Sequence, residues 1–149
     1  MSFISIGAAV KTKLLTLVGS GQPLAQVLDY HTDEVSGFPA VTFEASGNEN
    51  AYVTTVDNVR DYSFDVFVHQ EISLAQASGG LTGRAAANYI VANAVDQIIQ
   101  AFDEDFTLGG ACHMVAAVPS GWGTYLSGKG PTRYAKITIK CLLLVDIEA

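Results

Sequence analysis

The sequence has few charged residues, and few of these are basic. Charged residues make up 15% of the 149 positions, against roughly 25% in a typical soluble domain. Only eight residues are Lys or Arg, and the formal net charge is −7. Binding a nucleic-acid backbone takes clustered basic side chains, and the eight are scattered along the chain. The composition therefore argues against a nucleic-acid-binding protein.

The shortage of charge has two interpretations. Hydrophobic residues make up 49% of the chain, so part of the surface could be covered by partner proteins. Alternatively, the chain is a Gly- and Ala-rich domain with ordinary burial. The length fits one domain spanning residues 1–149, which is long enough to bury most of its apolar surface.

Cysteine is scarce, and no CxxC pair is present. Cys112 and Cys141 fall on different predicted strands. We interpret them as reduced thiols packed in a core rather than as a disulfide.

The sequence also lacks a long apolar run. Residues 1–18 include Lys11 and Lys13 among their apolar residues and have no small-residue cleavage pattern. This composition predicts neither a signal peptide nor a membrane span.

Catalytic and ligand-binding motifs are missing as well. The segment 123–130 is one residue from a phosphate-binding loop, but Gly130 follows Lys129 where a hydroxyl residue is required, and a strand follows instead of a helix. No glycine pattern of a nucleophile elbow surrounds a serine. We predict a protein that is not an enzyme and holds no cofactor.

Metal-binding spacing is absent too. The three histidines lie far apart in the sequence, at His31, His69 and His113. Three aspartates recur every four residues in a predicted strand, at Asp57, Asp61 and Asp65. A strand does not build a calcium loop, so we interpret these aspartates as a solvated acidic face.

What the sequence does contain is a long alternating pattern at its end. From Arg133 to Ile147 apolar residues occupy every second position: Ala135, Ile137, Ile139, Cys141, Leu143, Val145 and Ile147. A strand of this length spans roughly 50 Å, more than the roughly 40 Å diameter of such a domain. Residues 142–145 are apolar on both faces, so a helix or a neighbouring subunit must cover that end.

Periodicity and turn residues place the other elements. The predicted elements are a helix at 4–18, a strand at 24–30, a strand at 39–45, a turn at 46–50, a strand at 61–72, a helix from Thr82 to Phe102, a strand at 108–118 and a loop at 119–132. Together they predict an α+β fold: a mainly antiparallel β-sheet packed against one long amphipathic helix, plus an N-terminal helix and a long β-hairpin.

The same patterns predict which side chains share a face. In the first helix the apolar stripe runs through Ile4, Ala8, Lys11 and Leu15, and Leu14, Leu17 and Val18 widen it. In strand 61–72 the buried face is Tyr62, Phe64, Val66, Val68 and Ile72, and the polar face is Ser63, Asp65, His69 and Glu71. In strand 108–118 the alternating set is Cys112, Met114, Ala116 and Val118. The acidic run 103–105 is unfavourable at a helix C-terminus, so it is either a solvated exit or a partner contact.

The element order and two strand segments resemble a known family. The segments are Phe38-Pro39-Ala40-Val41 at a strand opening and Phe64-Asp65-Val66-Phe67-Val68 within a strand. With the N-terminal helix, the single long helix and the two closing strands, they resemble tail terminator proteins of long-tailed bacteriophages over nearly the whole chain. Neck and head-completion proteins share this general build.

The resemblance implies a structural virion protein located in the tail and assembled in the host cytoplasm. Such a protein forms a homo-oligomeric ring of six subunits on the head-proximal end of the tail tube, ends tube polymerisation and provides the surface for head-tail joining. Its implied partners are its own copies, the tail tube protein and a neck or head-completion protein, with no sequence-specific nucleic acid and no membrane.

Within that hypothesis, Trp122, Tyr125, Lys129 and Arg133 are the candidates for subunit or tube contact, because aromatic and Arg side chains anchor interfaces most often. The alternative for Trp122 is packing on its own domain. A neck role in the same virion stays open. So does a small-ligand-binding domain or enzyme using His69 and Asp65, although plain solvent exposure explains that polar face equally.

Overall fold

The computed structural model describes residues 3–29, 37–52, 57–73, 77–78, 80–127 and 130–146. Its elements, in chain order, are α1 (Phe3–Leu15), β1 (Gln26–Leu28), β2 (Ala40–Tyr52), β3 (Asp57–Glu71), β4 (Ala77–Ser78), β5 (Leu81–Thr82), α2 (Gly83–Glu104), β6 (Met114–Ser127) and β7 (Gly130–Asp146).

Five strands form one sheet in the order β1-β2-β3-β7-β6. β1 runs parallel to β2, and all other neighbours are antiparallel. β4 and β5 form a separate two-stranded ribbon just before α2. The predicted α+β class with a mainly antiparallel sheet is confirmed.

Both helices cover the same face of the sheet, which we call the helix face. The sheet contributes alternate residues of β2, β3 and β7 to it, and the predicted inward positions Val41, Phe64, Val66, Ile137 and Ile139 are buried there. Period-two alternation with one apolar face is what a sheet under helices requires. The predicted inward face of β3 is therefore confirmed from Tyr62 to Val68, whereas Ile72 lies beyond the strand and is only half-buried. In β7 the predicted face is confirmed from Ala135 to Cys141.

The long helix α2 packs on this face as predicted. Its buried residues are Gly83, Ala86, Ala87, Val91, Ala94, Val95, Ile98 and Phe102. Thr82 is the N-cap residue, but its side chain makes no capping hydrogen bond. The helix continues two residues beyond the predicted end, to Glu104.

The predicted stripe of α1 is right at Leu14 and at Leu17 just after the helix, which are buried, but wrong in its main line. The buried residues are Ile6, Val10 and Leu14, while Ile4 is 87% exposed. The helix is apolar around most of its circumference, so periodicity could not distinguish two stripes rotated against each other.

Two predicted irregular segments are strands. Residues 46–50 continue β2, with a register shift between Ala45 and Gly47. Residues 119–127 continue β6, with a second shift between Pro119 and Gly121. These bulges accommodate residues that a regular ladder disfavours, and pairing with β3 and β7 supplies the backbone hydrogen bonds. The turn at 46–50 is therefore wrong, as is the loop at 119–127 and 130–132; residues 128 and 129 lie outside the described residues.

The start of β6 also differs from the prediction. Cys112 lies in the turn before the strand, and Val115 and Ala117 pair with Cys141 and Ile139 on the helix face. The predicted set Met114, Ala116 and Val118 lies on the opposite face. Both faces carry small or apolar residues here, so alternation did not indicate which one is covered.

Candidate interaction surface

The face of the sheet opposite the helices carries an aromatic cluster, which we call the Tyr125 cluster: Phe67, His69, Tyr125 and Tyr134. Their ring centroids lie 5.6 to 6.3 Å apart. The residues come from β3, β6 and β7, so the cluster depends on the three strands pairing in register.

His69 is the centre of this cluster and is only 1% exposed. Its Nε2 is 2.9 Å from Thr42 Oγ1, and its Nδ1 is 2.8 Å from the Tyr125 hydroxyl. A neutral imidazole has one N–H donor and one acceptor, and hydroxyls accept or donate, so both ring nitrogens are satisfied in either tautomer. The predicted solvent exposure of His69 is wrong.

Asp65 does not join His69. Its carboxylate lies 3.6 Å from Lys136 Nζ, an ion pair across β3 and β7. The two residues proposed for a small-ligand site are thus each engaged with other side chains.

Trp122 and Arg133 come together at the same end of the β6–β7 hairpin as Tyr125 and Tyr134, but on the helix face. The Arg133 guanidinium lies 5.2 Å from the centroid of the indole. Its Nε donates to Asn88 Oδ1 of α2 (3.2 Å), and its Nη1 donates to the Gly123 carbonyl (3.3 Å). Arg84, at the start of α2, donates a hydrogen bond from Nη2 to Thr124 Oγ1 at 3.4 Å.

We call this group the basic patch: Arg84, Trp122, Leu126 and Arg133. Leu126 is 78% exposed and Trp122 is 43% exposed. Neither arginine forms an ion pair with a carboxylate among the residues that the structure describes. The patch therefore combines exposed apolar area with unpaired positive charge.

Of the four residues predicted for contacts, only Trp122 and Arg133 lie together. Tyr125 is on the opposite face, where it packs in its own cluster. Lys129 lies outside the described residues, as does His31. Sequence reasoning did not select Arg84 or Leu126 as contact residues. Arg84 reaches β6 only through the packing of α2, and Leu126 shares a face with Trp122 because residues 119–127 form a strand and not a loop.

β6 is an edge strand with exposed apolar side chains along its length: Met114, Val118, Trp122 and Leu126. No other strand in the described part of the chain pairs with its outer edge. The register shift places the first two on the opposite face and the last two on the helix face. Long apolar edge strands are templates for pairing with another chain, and natural proteins usually blunt them with charges, prolines or bulges. β6 has one such interruption, the Pro119–Gly121 shift, and no charged residue along its length.

The other end of α2 carries the acidic patch, which we define as Asp103, Glu104 and Phe106. Phe106 is 56% exposed, and its carbonyl accepts a hydrogen bond from the Val115 N–H at 2.6 Å. Asp103 and Glu104 are exposed and form no ion pair with any described residue. The patch thus lies beside the start of β6.

Asp105, the next acidic residue, has a role within the chain. Lys13 of α1 lies 3.0 Å from its carboxylate, and the Gly109 N–H donates to it at 3.0 Å. These contacts, the Lys13 hydrogen bond first, lower the pKa of Asp105 below its ordinary value. Asp105 therefore links the C-terminal end of α2 to α1 by an ion pair and to the following turn by a hydrogen bond.

The two cysteines are free and buried. Burial, and to a smaller extent the neighbouring Cys112, raise the pKa of Cys141 to about 12. Burial also raises the pKa of Cys112. Since the thiolate is the reactive form, both side chains act as small core residues at neutral pH, in agreement with the predicted reduced thiols.

A cavity of about 580 Å³ opens between α1 and the edge of β2 and β3. Its lining includes Phe3 of α1, Phe43 and Phe64 of the sheet, and the Lys11–Asp29 ion pair. Among the residues described, no three His, Cys, Asp or Glu side chains are grouped to hold a metal ion. Neither described helix combines the length and the hydropathy needed to cross a membrane.

Comparison with known proteins adds no assignment. No family model matches this sequence, and no curated protein matches it. The tail terminator hypothesis therefore depends on the resemblance and on the surface described above.

Proposed function

We propose that this chain is a structural virion protein that forms a ring on the head-proximal end of a phage tail tube. The subunit ring ends tube polymerisation and provides the surface to which the head, through a neck or head-completion protein, is joined. Function then lies in surface complementarity and not in a reaction.

The observation that carries the proposal is the edge strand β6. Fourteen residues long, it presents four exposed apolar side chains and pairs with no other described strand on its outer side. Such an edge is an aggregation hazard in a monomer but is useful in a protein that exists as an assembly.

Ring geometry requires two different patches on each subunit. In a cyclic assembly the contact is heterologous, so one surface meets a different surface of the next subunit, and closure limits growth. The basic and acidic patches at the two ends of α2 satisfy this requirement. Trp122 and Arg133 are then subunit contacts, and Lys129 stays a prediction for contact with a subunit or the tube.

A small-ligand function based on His69 and Asp65 has less support. His69 is buried with both ring nitrogens hydrogen-bonded, and Asp65 is paired with Lys136. A ligand would have to displace these contacts, each of which costs free energy to break.

The test is to add the purified protein to polymerising tail-tube subunits and to measure tube lengths by electron microscopy. We expect growth to stop, with mean length falling as the ratio of this protein to tube subunit rises. Unchanged lengths at every ratio would overturn the proposal. A neck protein would instead leave growth unchanged and bind only to tubes that already carry a terminator.

A further inference from the structure

The charges at the ends of α2 oppose the helix macrodipole. The first turn contains Arg84 and no acidic residue, and the last turn contains Asp103 and Glu104 and no basic residue. A helix favours acidic side chains at its N-terminus and basic ones at its C-terminus. These residues therefore lower the stability of the isolated chain.

The charge is also segregated along the sequence. Between Asp105 and Asp146 the chain has no acidic residue but has four basic ones, Lys129, Arg133, Lys136 and Lys140, in a protein with a net charge of −7. At the basic end, Arg133 of β7 and Arg84 at the start of α2 lie where β6 and β7 meet α2. Lys136 is paired with Asp65, and Lys140 lies opposite Ala116 towards the start of β6. The end of α2 is the acidic end.

Each patch has an exposed apolar centre. Trp122 packs against Arg133, and the exposed Leu126 lies four residues further along the same face of β6. The exposed Phe106 follows Asp103 and Glu104 closely in the chain. An apolar centre with a charged rim is the usual composition of a protein interface, and aromatic residues and Arg supply most hot spots. The two patches are complementary in charge and alike in apolar character.

We propose that the basic patch of one subunit docks on the acidic patch of the next copy of this chain, so that α2 helices follow one another head to tail around the assembly. The occupant of each patch is a second copy because the chain carries both complementary surfaces. The inference rests on the proposed subunit ring and names its contact.

The positions of the patches suit such a contact. α2 has 22 residues, so its ends lie about 30 Å apart. β6 starts beside Phe106 and ends near Arg84, so both patches border the same edge strand. Successive subunits would therefore place their β6 edges along one continuous surface of the ring.

The test uses charge reversal at each patch. The basic-patch variant is Arg84→Glu with Arg133→Glu, and the acidic-patch variant is Asp103→Lys with Glu104→Lys. We expect each variant alone to sediment as a monomer at concentrations at which the unaltered chain assembles, because like charges then face each other. An equimolar mixture should assemble again, since every contact is then between opposite charges.

Two controls separate this result from misfolding and from net charge. Reversal of Asp103 and Glu104 removes the clash with the macrodipole, so the melting temperature of that variant should rise by about 2 °C. Lys11→Glu with Lys140→Glu changes the net charge as much as the basic-patch variant does but should leave assembly intact. Arg84→Glu alone tests the basic patch without loss of the Arg133 hydrogen bonds.

The outcomes are distinct. Assembly of both variants alone, or no recovery on mixing, would overturn the head-to-tail contact and leave the proposed function in place. If the unaltered chain neither assembles nor occupies tube ends, the proposed function itself fails. If neither variant occupies tube ends alone while the mixture does, the contact is established even where the ring forms only on the tube.

Discussion

The two faces of the sheet are built on different principles. The helix face is filled by aliphatic side chains from alternate positions of β2, β3 and β7, under α1 and α2. The opposite face is organised around one buried histidine, two hydroxyls and three further aromatic rings. The first needs only apolar character and volume, whereas the second needs particular atoms at particular positions.

Because of this difference, the helix face should tolerate exchanges between apolar side chains of similar volume, but truncation of a large side chain there should lower stability strongly. Burial of large apolar side chains supplies most of its stability, and a truncation there leaves a cavity. On the opposite face the volume matters less than the hydrogen bonds of His69. Substitutions on the two faces should therefore differ in size and in which replacement rescues them.

The largest effect is expected on the helix face. Phe102 is fully buried in α2, so Phe102→Ala should lower the free energy of unfolding by about 3–5 kcal/mol. Urea denaturation followed by circular dichroism measures this change. Tyr89→Ala, an exposed position of the same helix, is the matched control and should change stability by less than about 0.5 kcal/mol. Equal effects at the two positions would contradict the packing described.

The next effect concerns His69 on the opposite face. His69→Leu replaces the imidazole by an apolar side chain of similar length and removes the hydrogen bonds to Thr42 and Tyr125. We expect the free energy of unfolding to fall by about 1–3 kcal/mol. Tyr125→Phe breaks only one of these bonds and should cost about 1 kcal/mol. If His69→Leu is as stable as the unaltered protein, His69 is a space-filling residue and the contrast between the faces fails.

A third effect returns to the helix face and depends on pH. The pKa of Cys141 is raised from its ordinary value of 9.0 to about 12 by burial. The folded state therefore holds the proton more tightly, so the stabilisation is complete below pH 9 and falls as the pH rises from 9 towards 12. The slope should approach about 1.4 kcal/mol per pH unit.

Urea midpoints between pH 8 and 10.5 would measure this slope. Cys141→Ala removes the thiol and should show a shallower alkaline decline, although its stability at pH 8 is lower because a small cavity remains. Parallel curves for the two proteins would show that other groups cause the decline.

The smallest effect tests the close packing of the opposite face. A Cβ on Gly123 would lie 2.6 Å from the ring of Tyr134, whereas a Cβ on Gly121 would meet no atom within 4 Å. Gly123→Ala should cost about 1 kcal/mol, because the tip of a tyrosine ring can shift. Gly121→Ala is the control and should be nearly neutral. A Tyr134→Ala background should abolish the difference between the two.

The helix face was predictable because its signals are local. The alternation in β3 and β7 and the helical spacing from Ala87 to Phe102 indicate buried faces without knowledge of their neighbours. The buried stripe of α1 was not predictable in this way. Ile4 and Ile6 are equally apolar, and only the packing of α1 on the sheet determines that Ile6 is buried and Ile4 is exposed.

The opposite face and the basic patch could not be derived from the sequence, because their residues lie far apart in the chain. His69 meets Tyr125 only through the pairing of both strands with β7, and Arg84 meets Thr124 only through the packing of α2. Residues 119–127 contain Pro and Gly, which favours a loop locally, while the bulge that retains them in β6 depends on the partner strand. The acidic run 103–105 was consistent with a solvated exit or a partner contact. In the structure Asp103 and Glu104 are exposed, while Asp105 pairs with Lys13 of the same chain.

The central proposal is that copies of this chain form a closed ring on the end of a tail tube. Negative-stain electron microscopy of the purified protein, alone and mixed with tail tubes of the same phage, tests it most directly. The account predicts rings with a central hole, or a cap of density on one end of each tube, made of six copies of the chain. Dispersed single subunits together with tubes that are bare at both ends would contradict it.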